Sequence, residues 1–332
     1  YYNTRNLTGE LFQAAIEPAI DHAWKYGAPF DGMPVDQFSA RWTGVYKADK
    51  DGTVKFQLAG DDGYRLFVND KLITGDWGNH SFSTRSAFMQ VSAGEIYRLR
   101  IEYFDNVGEA TVSFQAGMMD EERLASSLKH ARNVIVCAGF NSSTEGEGFD
   151  RPFALSYGQE YLINKVASLH DNVAVVVNAG GGIDFRNWGQ SVQAILMAWY
   201  PGQEGGNAIA DVLFGDYNPS GKLTSTWYNA LSDLPNGMLN YDIRDAKYTY
   251  MYHDKTPLYP FGYGMSYTTF EYQKLNISKS RLAAGEELIV SADITNTGKY
   301  AGAEIVQLYA HVNSSIERPL KQLVGFARVE LE

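Results

Sequence analysis

The sequence predicts a multidomain protein that combines all-β parts with an α/β part, on three observations. Residues 1–118 carry short runs in which apolar and polar residues alternate between turn-forming residues. From about residue 119 to residue 228, continuous apolar runs alternate with segments of helical spacing. From about residue 266 the alternating pattern returns. The length of 332 residues suits two or three domains.

The first predicted part, residues 1–118, is a β-sandwich. Its alternating runs include TVKFQLAG, YRLFVND and YRLRIEYF, and turn signals such as DKDG and DDG separate them. Several short strands at this spacing are typical of two packed antiparallel sheets. Asp61 and Asp62 lie in one of these turns, where acidic side chains commonly bond their own backbone. We therefore predict no metal there, with calcium binding as the alternative.

The second predicted part, residues 119–265, is an α/β domain with a mostly parallel sheet. DEERLASSLKHA and SYGQEYLINKVASLH have helical spacing, and each precedes a continuous apolar run, NVIVCAGF or NVAVVVNAGG. Such runs are typical of parallel strands covered on both faces. The single cysteine, Cys137, lies inside one of these runs, so we expect it to be a small buried side chain.

The third predicted part, residues 266–332, is an incomplete β-sandwich. It contains four strand-like runs, FEYQKLNIS, ELIVSADITNTG, AEIVQLYAHV and QLVGFARVEL. Sandwiches of this kind usually need about seven strands. We therefore expect the chain to stop short of a complete module.

Composition excludes several function classes. The net charge is −11 and the sequence has no run of Lys or Arg, so we expect no nucleic-acid partner. No stretch approaches about 18 consecutive apolar residues, so we expect no membrane span. Neither a phosphate-binding GK[ST] loop, a G-x-S-x-G nucleophile motif nor an H-E-x-x-H metal motif occurs. The 22 tyrosines suit sugar binding, because each ring offers an apolar face and a hydroxyl.

One acidic loop, STEGEGFDR at residues 143–151, is the candidate catalytic segment. It follows the buried run NVIVCAGF. Ligands of α/β sheets bind at the carboxyl ends of the strands, which is where this loop should lie. A carboxylate there can act as a general acid if its surroundings raise its pKa. Composition alone favours a solvated turn over a catalytic loop.

Trp77 lies in a polar loop of the first part, in GDWGNHSF. An exposed indole in such a loop can contact a sugar. Loop packing is the favoured role on the sequence alone, with substrate binding as the alternative.

Several stretches together match the pattern of one enzyme family. They are AILMAWYPGQEGGNAIADVLFGDYNPSGKLTSTW at 194–227, YPFGYGMSYTTF at 259–270, GEGFDR at 146–151, and FSARWTGVY with AGDDGYRLFVND in the first part. They resemble glycoside hydrolase family 3, the β-glucosidase family. The first part is similar to the anthrax protective-antigen type sandwich that some members carry as an insert. The last part is similar to their fibronectin type III-like module.

The resemblance implies the C-terminal part of a retaining, exo-acting β-glucosidase that hydrolyses terminal β-D-glucosyl residues of oligosaccharides or glucosides. It places the general acid/base at Glu147, with Glu145 as the runner-up, and gives Asp150 and Arg151 the role of bracing the loop. The nucleophile would be an Asp on an N-terminal (β/α)8 barrel, a partner that this chain lacks together with the first strands of the second domain.

No cofactor or metal is implied by the resemblance. The sugar stays open among glucosides, xylosides, arabinosides and N-acetylglucosaminides, and a homo-oligomer is one of the open assembly states. The alternative function is a non-catalytic carbohydrate-binding or adhesion module built on the first sandwich.

Overall fold

The computed structural model describes residues 1–142, 144–147, 151–234 and 240–332, with the backbone alone for Tyr157. The chain divides into two compact units. The first unit contains Tyr1–Asn178 and Phe185–Met197, and the second contains Ala179–Asp184 and Ala198–Glu332. Antiparallel sheets precede and follow a parallel sheet along the chain, which confirms the predicted class of multidomain α/β plus all-β.

The first unit begins with two four-stranded antiparallel sheets. One has the order β1-β8-β3-β6, with β1 at Asp21–Lys25, β3 at Gly52–Asp61, β6 at Ser83–Val91 and β8 at Ala110–Met118. The other has the order β2-β7-β4-β5, with β2 at Ser39–Lys47, β4 at Tyr64–Val68, β5 at Lys71–Asp76 and β7 at Ile96–Phe104.

The core of this pair of sheets follows from the period of two along each strand. On β3, Val54, Phe56 and Leu58 are fully buried, and on β4 Tyr64 and Leu66 are fully buried. Each such large side chain contributes roughly 1.5–3 kcal/mol when it leaves water. The two inner faces together form one hydrophobic core, so residues between about 21 and 118 pack as a sandwich.

A parallel sheet follows in the same unit. Its elements are α1 at Glu121–Leu128, β9 at Val134–Gly139, α2 at Tyr157–Leu169, β10 at Val173–Asn178 and β11 at Ala194–Met197, with a short 3-10 helix at Gly189–Ser191. The strand order is β11-β10-β9. The Asp120 side chain caps α1 by accepting the Arg123 N–H at 2.9 Å, so this helix begins where the sequence offers a preferred N-cap residue.

The expectation of a buried Cys137 was wrong, since its side chain is exposed. β9 is the edge strand of the parallel sheet. Val136 and Ala138, which alternate with Cys137, are buried, whereas Ile135 is 42% exposed. One face of β9 is therefore open in this structure, unlike that of the central strand β10, on which Val175, Val176 and Val177 are all buried.

The second unit contains two short helices and two antiparallel strand pairs among its described residues. They are α3 at Gly205–Phe214, α4 at Thr249–Tyr252, β12 at Phe270–Ile277 paired with β13 at Val290–Asn296, and β14 at Gly302–Ala310 paired with β15 at Gln322–Leu331. A 3-10 helix lies at Leu231–Asp233. Within the described part of the chain, none of the helices combines the length and apolar character needed to cross a bilayer.

Candidate active site

The carboxyl end of β9 is where the acidic loop leaves the sheet. Gly139 has a φ of +149°, and a Cβ built there would lie 2.0 Å from the carbonyl oxygen of Asn178 on β10. The next residue, Phe140, donates its backbone N–H to that same oxygen at 2.8 Å. Only glycine can occupy this position without displacing the neighbouring strand.

Gln159, on the first turns of α2, holds the same strand end. Its Oε1 accepts the Gly139 N–H at 2.6 Å, and its Nε2 donates to the Gly139 carbonyl at 2.9 Å. Sequence reasoning did not single out Gln159, because a glutamine within a helical pattern carries no signal that places its amide against a strand. The two bonds fix the backbone at the point where the loop begins.

An open cleft of about 290 Å³ lies at this edge of the sheet. It is lined by Cys137, Ala138, Gly139, Phe140, Asn141, Gln159 and Asn178. β9 and β10 run parallel with Gly139 opposite Asn178, so both strands deliver their carboxyl ends to the cleft. Such ends are the usual position of ligands in α/β sheets.

The start of the loop is a tight turn that places Glu145. The Asn141 carbonyl accepts the N–H groups of both Thr144 and Glu145 at 2.9 Å. The Glu145 Oε1 atom then lies 3.3 Å from Nε of Arg151, and both side chains are largely buried. The Arg151 guanidinium also lies 4.8 Å from the centre of the Phe140 ring. Arg151 thus contacts residues on both sides of the turn.

Glu147 has a different environment from Glu145. It is exposed to solvent, and among the residues that the structure describes it forms no ion pair. Asp150, the other residue given a bracing role, lies outside the described residues. The structure therefore brings Glu145 and Arg151 together and leaves the Glu147 carboxylate accessible.

Trp77 lies directly after β5, in the first sandwich, and is 38% exposed. Its ring is 3.9 Å from the Arg65 guanidinium carbon, and its centroid is 4.8 Å from that of Phe104 in an edge-to-face arrangement. These two contacts give Trp77 a packing role. Contact with a sugar stays a prediction.

Helix α2, which follows the loop, packs against the first sandwich. The rings of Tyr161 and Phe88 stack with centroids 4.4 Å apart, and Gly158 lets the helix approach, because a Cβ there would lie 3.2 Å from Phe88. The Tyr161 hydroxyl lies 3.0 Å from Oε1 of Glu121 on α1. A hydrogen bond from Lys165 to Glu121 lowers the pKa of the Glu121 carboxyl. Helix α2, which follows the loop, is thus held against the sandwich and α1 by ring stacking and hydrogen bonds.

The Asp61–Asp62 turn was the alternative metal site. The Asp62 carboxylate accepts backbone N–H groups of His80 and Asn106, at 3.0 and 2.7 Å. In the described ranges, no group of three or more His, Cys, Asp or Glu side chains is arranged to hold a metal ion. The two bonds join the turn to backbone 18 and 44 residues away, and not to the turn's own backbone as the sequence led us to expect.

Comparison with known proteins gives the family. Residues 33–267 match the C-terminal domain of glycosyl hydrolase family 3, and residues 304–332 match a fibronectin type III-like domain. The chain belongs to glycosyl hydrolase family 3. This family 3 chain is 33% identical to a β-glucosidase of Rhizobium radiobacter over 92% of its own length, and 36% identical to a β-glucosidase of Kluyveromyces marxianus over 89%.

The structural comparison agrees with the family assignment. The crystal structure of the Kluyveromyces marxianus β-glucosidase in complex with glucose matches this family 3 chain with a TM-score of 0.58 and 30% identity, over 89% of the chain. The chain spans 41% and 38% of the lengths of the two curated relatives, and 38% of the crystallised one.

Proposed function

We propose that this chain is the part of a retaining, exo-acting β-glucosidase that supplies the general acid/base. The substrate would be an oligosaccharide or glucoside with a terminal non-reducing β-D-glucosyl residue. Family membership and the names of the relatives support the reaction class. Glucose in the crystal structure of the Kluyveromyces marxianus relative supports glucosides over the other sugars that family members hydrolyse.

The accessibility of Glu147 is the observation that carries the assignment of the acid. The loop starts at the cleft, where Asn141 is part of the lining. Glu145 would have to give up its ion pair with Arg151 before it could donate a proton to a leaving group. Glu147 is exposed and has no such ion pair within the described residues. Its carboxylate would therefore be available to a leaving group without the loss of an ion pair.

The chemistry follows from two carboxyl groups on opposite sides of the glycosidic bond. Glu147, protonated, would donate its proton to the glycosidic oxygen while an Asp carboxylate attacks the anomeric carbon. Glu147, now ionised, would then take a proton from the water that releases the sugar. In a retaining pair the two carboxyl groups lie about 5–5.5 Å apart. The Asp would come from an N-terminal (β/α)8 barrel of the same enzyme.

Two further roles follow, one in the loop and one in the first sandwich. Arg151 would brace it through Glu145 and Phe140, which it contacts at 3.3 and 4.8 Å. Asp150 would complete that bracing. Trp77 would contact the sugar through the part of its ring that Arg65 and Phe104 leave open.

The test is Glu147→Ala in the complete enzyme. We expect hydrolysis of substrates with poor leaving groups to fall by about 10²–10⁴-fold, because those need protonation of the leaving oxygen. Activated aryl glucosides should lose far less in their first step, and added azide should partly restore turnover by replacing the water that Glu147 activates.

Glu145→Ala is the matched control, since the two residues are two positions apart in the same loop. It should give no azide rescue and a similar loss for good and poor leaving groups. If Glu145→Ala instead showed azide rescue and a selective loss for poor leaving groups, and Glu147→Ala showed neither, Glu145 would be the acid. Sugar binding without hydrolysis by the complete enzyme would instead favour the carbohydrate-binding alternative.

A further inference from the structure

The outer face of the sheet β2-β7-β4-β5 carries a cluster of arginines in two cross-strand rows. In one row, Glu102 on β7 lies directly opposite Arg41 on β2 and Arg65 on β4. In the next row on the same face, Arg100 on β7 lies opposite Phe67 on β4. The other face of the same strands is core, so these side chains point away from the sandwich interior.

Glu102 sits at the centre of this cluster with no exposed surface. Its Oε1 accepts from Nε of Arg41 at 2.8 Å and from Nη1 of Arg100 at 2.6 Å, and its Oε2 accepts from Nε of Arg65 at 2.6 Å. Burial alone would raise the pKa of Glu102, but these three hydrogen bonds outweigh burial and lower it. The carboxylate is therefore ionised and holds three guanidinium groups in place.

The positive charge of the cluster exceeds the negative charge of the carboxylate at its centre. One carboxylate is surrounded by three arginines, and in the described part of the chain all of their salt bridges go to Glu102. The local charge is +2 in a chain whose net charge is −11. The three side chains remain 36%, 31% and 29% exposed, so this excess charge faces solvent.

The guanidinium groups are also oriented. Arg41 and Arg65 use Nε to bind Glu102, which leaves the two Nη groups of each for another acceptor. The Arg65 guanidinium carbon lies 3.9 Å from the Trp77 ring centre, and that of Arg100 lies 3.8 Å from the Phe67 ring centre. Arginines held by a carboxylate and by aromatic faces lose little further freedom when they bind a ligand.

We propose that Arg41, Arg65 and Arg100 form a binding site for a carboxylate-bearing sugar, such as a uronic acid residue of an acidic glycan. The planar pair of Nη groups on Arg41 and on Arg65 matches the two oxygens of a carboxylate, whereas Glu102 is held on the inner side through the Nε atoms. The site lies on the outer face of the first sandwich, on residues other than those of the acidic loop. Family membership indicates the sugar as the carrier of the carboxylate.

A simpler role would be to neutralise Glu102 alone. One arginine would suffice for that, and each additional cation adds repulsion that an external anion removes. The distant negative charges of the chain weaken anion binding little at ordinary ionic strength, because charges farther than about 8–10 Å are largely screened.

The experiment measures binding of trigalacturonic acid to the intact protein by calorimetry, at low and at high salt. Cellotriose is the neutral probe and triglutamate the acidic peptide probe. The test variant is Arg41→Lys/Arg65→Lys, which keeps the charges and a donor to Glu102 but removes the planar forks. The control is Arg98→Gln, since the Arg98 side chain is 74% exposed and pairs with Asp70.

We expect trigalacturonic acid to bind, cellotriose not to bind, and the double lysine variant to bind about tenfold or more weakly with an unchanged melting temperature. Arg98→Gln should stay within about twofold. Three results would overturn the proposal: no binding of the uronate, equal binding by the double lysine variant, or tighter binding of triglutamate. Binding is measured without hydrolysis, so these outcomes are independent of the role proposed for Glu147.

Discussion

Two buried carboxylates near the end of β7 show opposite solutions to the same problem. Glu102 and Asp105 are both fully inaccessible to solvent. Glu102 accepts hydrogen bonds from three arginines. Among the described residues, no group is placed to form a hydrogen bond with either carboxylate oxygen of Asp105, and the neighbouring charges are those of Asp62, Asp36 and Asp61.

The difference appears in the pKa of each group. For Asp105, burial comes first and the three neighbouring carboxylates add to it, so its pKa rises to about 7. The backbone N–H of Gln37, which donates to the Asn106 carbonyl, acts in the opposite direction and offsets this rise only in part. For Glu102 burial also comes first, but the hydrogen bonds from the three arginines together outweigh it, so the pKa falls. Equal burial therefore does not decide whether a carboxyl is ionised, because the sign of the neighbouring charges does.

Glu102→Gln should have the largest effect. It keeps the volume but removes the charge that balances three guanidinium groups, so we expect the free energy of unfolding to drop by about 3 kcal/mol. The folded-state pKa is lowered, so the stabilisation by Glu102 is present above its unfolded pKa near 4.5 and is lost as pH falls through the lower folded value. Urea unfolding around neutral pH measures it, and an unchanged midpoint would contradict the pairing.

Asp105→Asn should have the opposite sign. The folded-state pKa is raised from 3.8 to about 7, so the native protein loses stability as pH rises through this range. Asn cannot ionise, so we expect a gain in the free energy of unfolding on the order of 1–3 kcal/mol at about pH 8 and none near pH 4. Urea unfolding across this pH range measures it. Exposed Asp31→Asn is the control, and an equal gain at both ends would mean that Asp105 does not titrate there.

Asp70→Asn should have the smallest effect. Asp70 and Arg98 form a pair at 3.7 Å on the sheet that holds Glu102, with side chains 76% and 74% exposed. Asp70 has a φ of +63°, which Asn tolerates well. We expect a change below about 0.5 kcal/mol in urea unfolding. If Asp70→Asn lowered the free energy of unfolding as much as Glu102→Gln, burial would not explain the difference between the Asp70–Arg98 pair and the Glu102 cluster.

The fold class could be predicted because strand and helix periods are local properties of the sequence. The run TVKFQLAG at 53–60 lies within β3, and its alternation places Val54, Phe56 and Leu58 in the core. The expectation for Cys137 failed because the apolar run NVIVC does not say whether its strand is central or at an edge. That property depends on strand order, which is set by distant parts of the chain.

The candidate site could be predicted only as a segment. Residue types indicated that carboxylates follow β9, but not that Glu145 pairs with Arg151 while Glu147 stays accessible. The arginine cluster was missed altogether, because Arg41 and Glu102 are 61 residues apart and meet only through the register of β2 with β7. Contacts of this kind depend on tertiary pairing, which a single sequence does not display.

The residues from which the acidic segment starts, Gly139 and Phe140, are held in place by residues outside the segment. Gln159 holds Gly139 through two hydrogen bonds, and Arg151 lies against Phe140. Phe140 and Arg151, which flank the segment 141–150, thereby lie close together, so lengthening the segment costs little loop-closure entropy, about 0.6 kcal/mol for each doubling. For the stability of the sheet, the helix and the sandwich, insertions within this segment should therefore matter less than substitutions at Gly139 or Gln159, which hold the strand end from outside it.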